Sequence, residues 1–414
     1  MLDKLIQRSI VLTTLLLLGI ATFSACKYNE QRKVNVASHE IDRETMAEII
    51  VGAERLALYY GELKDKKIAC VVNHTSMVKD QHLVDSLLNL DIHVAKVFAP
   101  EHGFRGDVPD GEKIADDVDP KTGVPIVSLY GKKRKPSPED LEGIEVVVFD
   151  IQDVGARFYT YLSTMHNIME ACAENGIKCI VLDRPNPNGH YVDGPVLEED
   201  QKSFVGMHPV PIVYGMTIGE YARMINGEGW LKGGVKCDLE VIELKNYTHN
   251  SFYEIPIVPS PNLPNQRAIL LYPSLCFLEG TTVSIGRGTD LQFQVIGHPD
   301  ISGVYSFTPQ PNRGSKYPKN EGMNCRGEDL SKLTIGSIIE EGSINLDYLI
   351  NYHQAVTESG SPFFKENGHF DRIAGTKALK QQLKSGASEE EIRASWKDGL
   401  DQFKQIRNKY LIYP

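Results

Sequence analysis

Residues 146–161 read VVVFDIQDVGARFYTY, and this stretch decides the fold class. Its first four residues are apolar and mostly β-branched, with no polar alternation, so they predict a strand that is buried on both faces. A polar and aromatic loop follows, and from residue 161 to 174 apolar residues recur at helical spacing. A buried strand that leads through a polar loop into a helix is the repeating unit of parallel α/β sheets.

Three further segments have the same buried-strand pattern: residues 68–72 (IACVV), 94–98 (VAKVF) and 179–182 (CIVL). Together with the helical stretches between them, they predict a Rossmann-like parallel-sheet domain. The proline-rich segment PIVPSPNLP ends at residue 264 and is incompatible with a helix or a central strand. We therefore expect an α/β domain at residues 44–264 and a smaller α+β domain at residues 265–414.

The N-terminus has the pattern of an export signal. Lys4 and Arg8 precede an apolar run at residues 10–20, and small residues lead to Cys26. This order is typical of a secretory signal peptide, and the apolar run is too short to span a membrane. Small residues before a cysteine resemble the lipobox of bacterial lipoproteins, in which that cysteine is acylated. We expect a lipoprotein signal peptide at residues 1–26, lipidation at Cys26 and a flexible leash at residues 27–43.

Composition narrows the function classes. The net charge is −11 with acidic residues spread along the chain, which disfavours nucleic acid as a partner. No GxGxxG, GxxxxGK[ST] or GxSxG motif indicates a nucleotide site or a serine nucleophile.

Six cysteines follow Cys26, several within apolar runs, and they predict buried free thiols rather than disulfides. The expected location is the cell envelope, where the lipid anchors the protein either facing the periplasm or at the outer membrane.

Polar and aromatic side chains follow all four predicted strands. Ligands bind beyond the carboxyl ends of the strands in an open parallel sheet, so these loops predict a cleft for a polar, hydroxyl-rich ligand. The candidates are, in strand order, Asn73 and His74; Glu101, His102 and Arg105; Asp150, Asp153, Arg157 and Tyr159; Asp183, Arg184 and Asn186. For each of them a structural role as a cap, turn residue or ion-pair partner is the alternative. A divalent ion held by His74, His102, Asp150 and Asp153 is a second alternative, without support from HExxH or HxH spacing.

Eight motifs resemble, in order, those of the exo-β-N-acetylmuramidases of the NamZ type, a family formerly catalogued as a domain of unknown function. They are VVNHTS, FAPEHGFRGD, DPKTGVPIVSLYG, VVVFDIQDVGARFYTYLSTM, VLDRPNPNG, VYGMTIGEYA, PSPNLP and EGTTVSIGRGT. The resemblance implies an active-site cleft between the two domains. It also implies release of terminal β-linked N-acetylmuramic acid from the non-reducing end of peptidoglycan fragments, during cell-wall turnover. The expected partner is a glycan of the MurNAc-GlcNAc type, and neither a metal nor another cofactor is expected.

The resemblance also implies catalytic roles. Glycoside hydrolysis needs a carboxylic acid to protonate the leaving oxygen, and usually a second carboxylate. Glu101 matches the glutamate of the PEHG motif and is the expected acid. The second role stays open between Asp153, Glu279 and the 2-acetamido group of the substrate.

Recognition of muramic acid adds further candidates. Its lactyl carboxylate suits an arginine, whose planar fork donates two parallel hydrogen bonds. Arg157 and Arg287 are the candidates, and Asn262 of the PSPNLP motif is expected to bind substrate. After GRGT the sequence DLQFQ (residues 290–294) departs from the family pattern, as does NQRA (residues 265–268). Both departures border the expected cleft and bear on the exact substrate.

Two other functions fit the same sequence. One is a lipid-anchored module that binds cell-wall sugar without catalysis, for which a carboxylic acid at Glu101 would be unnecessary. The other is a metal-dependent cell-wall amidase, which normally shows zinc-ligand spacing.

Overall fold

A seven-stranded, mostly parallel sheet is the largest element of the computed structural model, which describes residues 47–101, 103–105 and 117–414. The strands are, in chain order, β1 Lys67–Val72, β2 Met77–Val78, β3 Gln81–His82, β4 His93–Ala99, β5 Asp117–Val118, β6 Pro125–Ser128, β7 Val146–Asp150, β8 Lys178–Leu182, β9 Leu239–Ile242, β10 Val295–His298, β11 Tyr305–Phe307 and β12 Cys325–Asp329. The large sheet has the order β5-β6-β4-β1-β7-β8-β9, and only the β5–β6 pair is antiparallel.

The four predicted strands are confirmed as β1, β4, β7 and β8, which lie side by side in the sheet. Alternate side chains enter two separate cores. In β1, Ile68 and Cys70 belong to one core, and Ala69 and Val71 to the other. Burial of both faces explains why these strands have no polar alternation. The short strands β5, β6 and β9 are partly exposed and were not predicted.

The order of the strands locates the binding edge. β1 lies between β4 and β7: the chain first builds β4 and β6 on one side, then returns to build β7, β8 and β9 on the other. This reversal is the topological switch point of the sheet, where loops from neighbouring strands diverge and leave a crevice. The loops after β4 and β7 are therefore placed to form a site together.

Helices cover both faces of the sheet. In the described part of the chain they are α1 Tyr60–Leu63, α2 Leu83–Leu88, α3 Tyr161–Asn175, α4 Ile218–Gly227, α5 Gln266–Leu275, α6 Ile335–Glu341, α7 Asp347–Glu358, α8 His369–Ala374, α9 Ala378–Ser385 and α10 Glu389–Arg407. The predicted helix at residues 161–174 is α3, which ends where Gly176 adopts a left-handed conformation (φ 65°). Helix α4 begins with a capping box between Thr217 and Glu220.

The second half of the chain adds a three-stranded antiparallel sheet in the order β10-β12-β11, surrounded by helices. The two sheets fall on either side of the predicted boundary at residues 264/265, and this boundary stays a prediction. Residues 49–414 form one compact unit. The predicted α/β class, with a parallel sheet followed by a smaller α+β part, is confirmed.

All six described cysteines are free and buried, as predicted from their apolar surroundings. The signal peptide, Cys26 and the leash lie outside the described residues. Within those residues, no helix is both long enough and apolar enough to cross a membrane.

A buried ion pair joins the ends of two central strands. The carboxylate of Asp150, at the end of β7, accepts hydrogen bonds from Nε (2.5 Å) and Nη2 (2.9 Å) of Arg184, which follows β8. Asp150 is fully buried and Arg184 is 4% exposed. Arg184 also donates to the carbonyl of Met77. The pair thus ties together the loops after β1, β7 and β8.

Replacing Asp150 by Asn should destabilise the fold strongly. Breaking a buried pair leaves an uncompensated guanidinium, which typically costs about 3–5 kcal/mol. Urea unfolding of wild type and variant measures the difference in the free energy of unfolding. Asp401→Asn, which removes an exposed ion pair with Lys397, is the matched control and should change it little. A loss no larger than the control's would contradict the structural role of Asp150.

Candidate active site

A cavity of about 270 Å³ lies at the carboxyl edge of the large sheet. One wall comes from the loops after β4 and β7, and the opposite wall comes from the second half of the chain. The lining residues are Glu101, Tyr130, Arg134, Phe158, Tyr159, Thr160, Tyr161, Phe204, Val205, Ser260, Asn262, Leu263, Tyr272, Glu279, Arg287 and Phe293. Five of the predicted site residues therefore meet here: Glu101, Tyr159, Asn262, Glu279 and Arg287.

Glu101 lies directly beyond the end of β4 and is held from the neighbouring loop. The hydroxyl of Thr160 donates a hydrogen bond of 3.0 Å to its Oε2. Tyr161 lies close enough that, after burial, the charge of Glu101 is the main cause that raises the pKa of its phenol. Asn73 in turn donates to the hydroxyl of Tyr161 (2.9 Å). Loops after three adjacent strands thus fix the position of one carboxyl group.

Glu279 faces the same cavity from the 3-10 helix Cys276–Gly280. Its Oε1 accepts a hydrogen bond of 2.8 Å from Nη1 of Arg287, and both side chains are partly exposed. Charge-assisted hydrogen bonds of this kind are shorter and stronger than those between neutral groups, so the pair fixes the position of Glu279. The cavity therefore brings together one carboxyl group held by a hydroxyl and one carboxylate held by a guanidinium.

Aromatic rings form the floor of the cavity. Tyr159 packs edge-on against Tyr161 (ring centroids 4.9 Å apart), and Tyr272 packs edge-on against Phe158 (5.1 Å) and Phe293 (5.0 Å). The hydroxyl of Tyr159 donates to the carbonyl of Pro259, which anchors the proline-rich segment. Flat apolar faces beside polar groups suit the faces of a sugar ring.

Phe293 has an unusual backbone in this floor. Its φ is 54°, the left-handed region that bulky residues rarely adopt. Such a conformation costs about 1–3 kcal/mol and concentrates at functional sites. Phe293 belongs to the DLQFQ segment, one of the two departures from the family pattern, and that departure does border the cavity.

Asp183 and Asn186 support the loops instead of lining the cavity. The carboxylate of Asp183 accepts from Thr217 (2.7 Å), Tyr413 (2.7 Å) and the backbone of Gly219 (2.8 Å), and burial raises its pKa to about 7. Asn186 donates to the carbonyl of Met216. The polar atoms of these two residues, of the Asp150–Arg184 pair and of Asn73 form hydrogen bonds within the protein, and a role for them in substrate binding stays a prediction.

Arg157 is the largest fully buried side chain in the described part of the chain, at 2% exposed. Its guanidinium donates to four backbone carbonyls, those of Pro195, Val210, Ile373 and Ala374. Burial lowers its pKa to about 9. These donors join the loop after β7 to the C-terminal helices, and binding of a lactyl carboxylate by Arg157 stays a prediction.

The remaining loop candidates are also placed away from the cavity. Arg105 forms ion pairs with Asp85 (3.1 Å) and Asp119 (2.7 Å), and Nε2 of His74 contacts the carbonyl of Val258. The substrate-binding roles expected for both residues stay predictions. His102 lies outside the described residues. Among those that are described, no group of three or more His, Cys, Asp or Glu side chains could hold a metal ion.

Asp153 lies beneath the cavity and is not one of its lining residues. Its Oδ2 accepts hydrogen bonds from the hydroxyl of Tyr214 and from the backbone of Gly155 (2.8 Å). Burial raises its pKa to about 6. Gly155 (φ 80°) must stay glycine, since a Cβ there would lie 2.0 Å from Oδ1 of Asn186. Of the two candidates for the second carboxylate, Glu279 lines the cavity together with Glu101, whereas Asp153 is buried and hydrogen-bonded within its loop.

Several lining residues were not predicted. Thr160 lies in the loop between β7 and α3 and was not predicted as a site residue. A hydroxyl residue directly before a helix is nevertheless a recognisable signal of a helix N-terminus. Tyr130 and Arg134 follow β6, a strand that was not predicted. Phe204 and Tyr272 lie in segments whose position depends on tertiary packing, and no local pattern identifies them.

Comparison with known proteins identifies the family of this chain. A sequence model described as "Exo-beta-N-acetylmuramidase NamZ, N-terminal" matches residues 68–267, and "Exo-beta-N-acetylmuramidase NamZ, C-terminal" matches residues 270–413. The chain belongs to the NamZ family. The resemblance seen in the eight motifs is confirmed, and the NamZ family is a family of glycosidases.

Individual relatives agree with this assignment. The peptidoglycan β-N-acetylmuramidase NamZ of Bacillus subtilis (strain 168) is 38% identical over 383 residues, which cover 86% of this chain and 89% of the relative. Two crystal structures of DUF1343 family proteins from Bacteroides fragilis NCTC 9343 are similar in fold. One is 48% identical with a TM-score of 0.82 and covers 89% of this chain and 99% of its own. The other is 30% identical with a TM-score of 0.74 and covers 88% and 99%.

Asp153→Asn tests the assignment of Asp153 to the scaffold. The raised pKa means that the folded protein keeps a proton at pH values where the unfolded chain has lost it. This stability is present below about pH 4 and is lost as the pH rises through about 6. The variant lacks the titration, so its free energy of unfolding relative to wild type should rise by about 3 kcal/mol between pH 4 and pH 7. Urea unfolding at both pH values measures this, and a difference that does not depend on pH would contradict it.

Proposed function

We propose that this protein is a peptidoglycan β-N-acetylmuramidase that acts from the non-reducing end and releases terminal N-acetylmuramic acid from peptidoglycan fragments. The observation that carries the proposal is the meeting of Glu101 and Glu279 in one aromatic-floored cavity. A pair of carboxyl groups across a sugar-sized space is the usual equipment of a glycosidase. The kinship with the Bacillus subtilis β-N-acetylmuramidase supports the choice of sugar.

The two carboxyl groups receive different roles. Glu279 forms an ion pair with Arg287, a position that suits a nucleophile or a general base. Glu101 accepts a hydrogen bond from the neutral hydroxyl of Thr160, which suits the acid that protonates the leaving oxygen. The tyrosines and phenylalanines of the floor bind the ring between them.

The cellular setting forms part of the proposal. An exported enzyme that is tethered by a lipid on Cys26 meets its substrate at the cell envelope, where peptidoglycan fragments arise during wall turnover. The polar segment 27–43 would let the folded part reach fragments at a distance from the membrane. Release of a single terminal sugar at each step fits a cavity of about 270 Å³ better than an extended open groove.

Glu101→Gln keeps the size of the side chain but removes the transferable proton. General acid catalysis typically contributes about 10²–10⁴-fold, so kcat on a disaccharide with a poor leaving group should fall by that order. An aryl glycoside of N-acetylmuramic acid, whose phenolate needs little protonation, should lose less. Steady-state kinetics on both substrates measures the difference.

Asp153→Asn is the matched control, as it neutralises a carboxyl group outside the cavity. If Glu101→Gln slows both substrates equally, and no more than Asp153→Asn does, Glu101 is not the acid. Calorimetric titration of Glu101→Gln with a MurNAc-GlcNAc disaccharide should still show binding. A wild-type protein that binds the disaccharide without turnover would instead establish a sugar-binding module.

Cys26→Ser tests the lipid anchor. A serine cannot accept the lipid, so the variant should leave the membrane fraction or accumulate as the unprocessed precursor. Fractionation and metabolic labelling with a fatty-acid analogue measure both outcomes. Unchanged labelling and unchanged fractionation would contradict acylation at Cys26.

A further inference from the structure

A second cavity, of about 250 Å³, adjoins the one that contains Glu101. The two share Glu279 and Arg287, so this ion pair stands at the boundary between them. The second cavity is lined in addition by Lys319, Lys365 and His369. The basic side chains of Arg287, Lys319 and Lys365 thus face one carboxylate, that of Glu279, in a partly closed space.

The backbone brings these cations together from distant parts of the sequence. The ammonium of Lys319 donates to the carbonyls of Leu278 (2.5 Å) and Thr281 (3.0 Å), on either side of the segment that carries Glu279. The amide of Lys365 donates to the carbonyl of Gly280 (3.1 Å). Each lysine is therefore held beside Glu279 by the main chain.

Gly280 allows helix α8 to close the cavity. A Cβ at this position would lie 2.5 Å from the Cα of Phe370, so only glycine permits the observed contact. The contact places His369, the first residue of α8, next to the lysines. A closely packed glycine here serves to position cationic side chains around one point.

The charges in this cavity repel one another. Burial and the charge of Lys365 lower the pKa of Lys319 to about 7, and burial is also the main cause that lowers the pKa of Lys365 and of His369. Among the residues that the structure describes, none accepts a hydrogen bond or forms an ion pair with the ammonium of Lys365. Holding several cations together without enough counter-charge is costly unless an anion binds between them.

We infer that the second cavity is the subsite for the lactyl carboxylate of N-acetylmuramic acid, bound by Lys365 and Lys319 with Arg287 at its entrance. This inference rests on the proposed function. The lactyl ether is carried by the same sugar whose bond is cleaved, so a ring beside Glu101 extends its carboxylate towards an adjoining cavity. A free carboxylate matches the basic lining of this cavity in charge, and N-acetylglucosamine has no group to place there.

The test compares two aryl glycosides, one of N-acetylmuramic acid and one of its lactyl amide, which lacks only the charge. A charge-assisted hydrogen bond corresponds to about 10- to 100-fold, so the wild-type enzyme should favour the free acid in kcat/KM by that factor. Lys365→Gln should reduce this preference about 10-fold, mainly through the free acid. Lys365→Arg, which restores a cation, should keep most of it.

Lys384→Gln is the matched control, because Lys384 is exposed on α9 outside the cavity. It should leave the preference unchanged, and thermal unfolding of all variants shows whether each one is folded. An unchanged preference in folded Lys365→Gln and Lys319→Met would overturn the subsite while leaving the muramidase intact. Absence of turnover of either glycoside by the wild-type enzyme would instead overturn the proposed function.

A third glycoside, with an L-Ala-D-Glu dipeptide on the lactyl group, distinguishes the sources of the carboxylate. The subsite for the free lactyl group predicts that this compound behaves like the amide, and that Lys365→Gln affects it little. If the dipeptide compound is preferred over the free acid, and loses that preference in Lys365→Gln, the cavity binds a carboxylate of the peptide and the inference is wrong.

Discussion

The buried pair of Asp150 and Arg184 joins the loops that the rest of the site depends on. A carboxylate and a guanidinium can lie in a protein interior only when each satisfies the other, and this requirement fixes the ends of β7 and β8 relative to the loop after β1. Asp183 and Asn186 extend the same scaffold by hydrogen bonds to residues that precede and begin α4. Most of these polar side chains at the carboxyl edge of the sheet therefore hold the loops in place. They form a rigid support for the few polar groups that face the cavity.

On this support the protein separates two tasks. The loops after β4 and β7 hold Glu101, Thr160 and the tyrosines, to which the proposed function gives one catalytic group and the floor for a sugar ring. The segment from Glu279 to Arg287 supplies the opposing carboxylate and the boundary to a cationic cavity. The two halves of the chain thus each contribute one carboxyl group to the first cavity, and the second half alone supplies the basic side chains of the adjoining one.

The sequence predicts the strands and the binding edge well because both depend on local patterns. Four apolar β-branched runs could only be strands with two buried faces, and parallel strands bring their loops to one edge. Roles within the loops were harder to predict. Asp150, Asp183 and Glu101 all stand at or just beyond a strand end, and only tertiary packing decides which carboxylate meets a buried partner and which faces a cavity. The same reason explains Arg157, whose four carbonyl partners come from segments up to 217 residues away. Lys319 and Lys365 have no motif at all, since their proximity results from the folding of separate loops around Glu279.

Removal of a terminal N-acetylmuramic acid at this cavity is the reaction on which the proposed function depends. It is tested most directly by incubating detergent-solubilised full-length protein with the disaccharides MurNAc-GlcNAc and GlcNAc-MurNAc and identifying the products by mass spectrometry. We expect release of free N-acetylmuramic acid from MurNAc-GlcNAc and no cleavage of GlcNAc-MurNAc. Cleavage of both disaccharides at similar rates, or of GlcNAc-MurNAc alone, would contradict it.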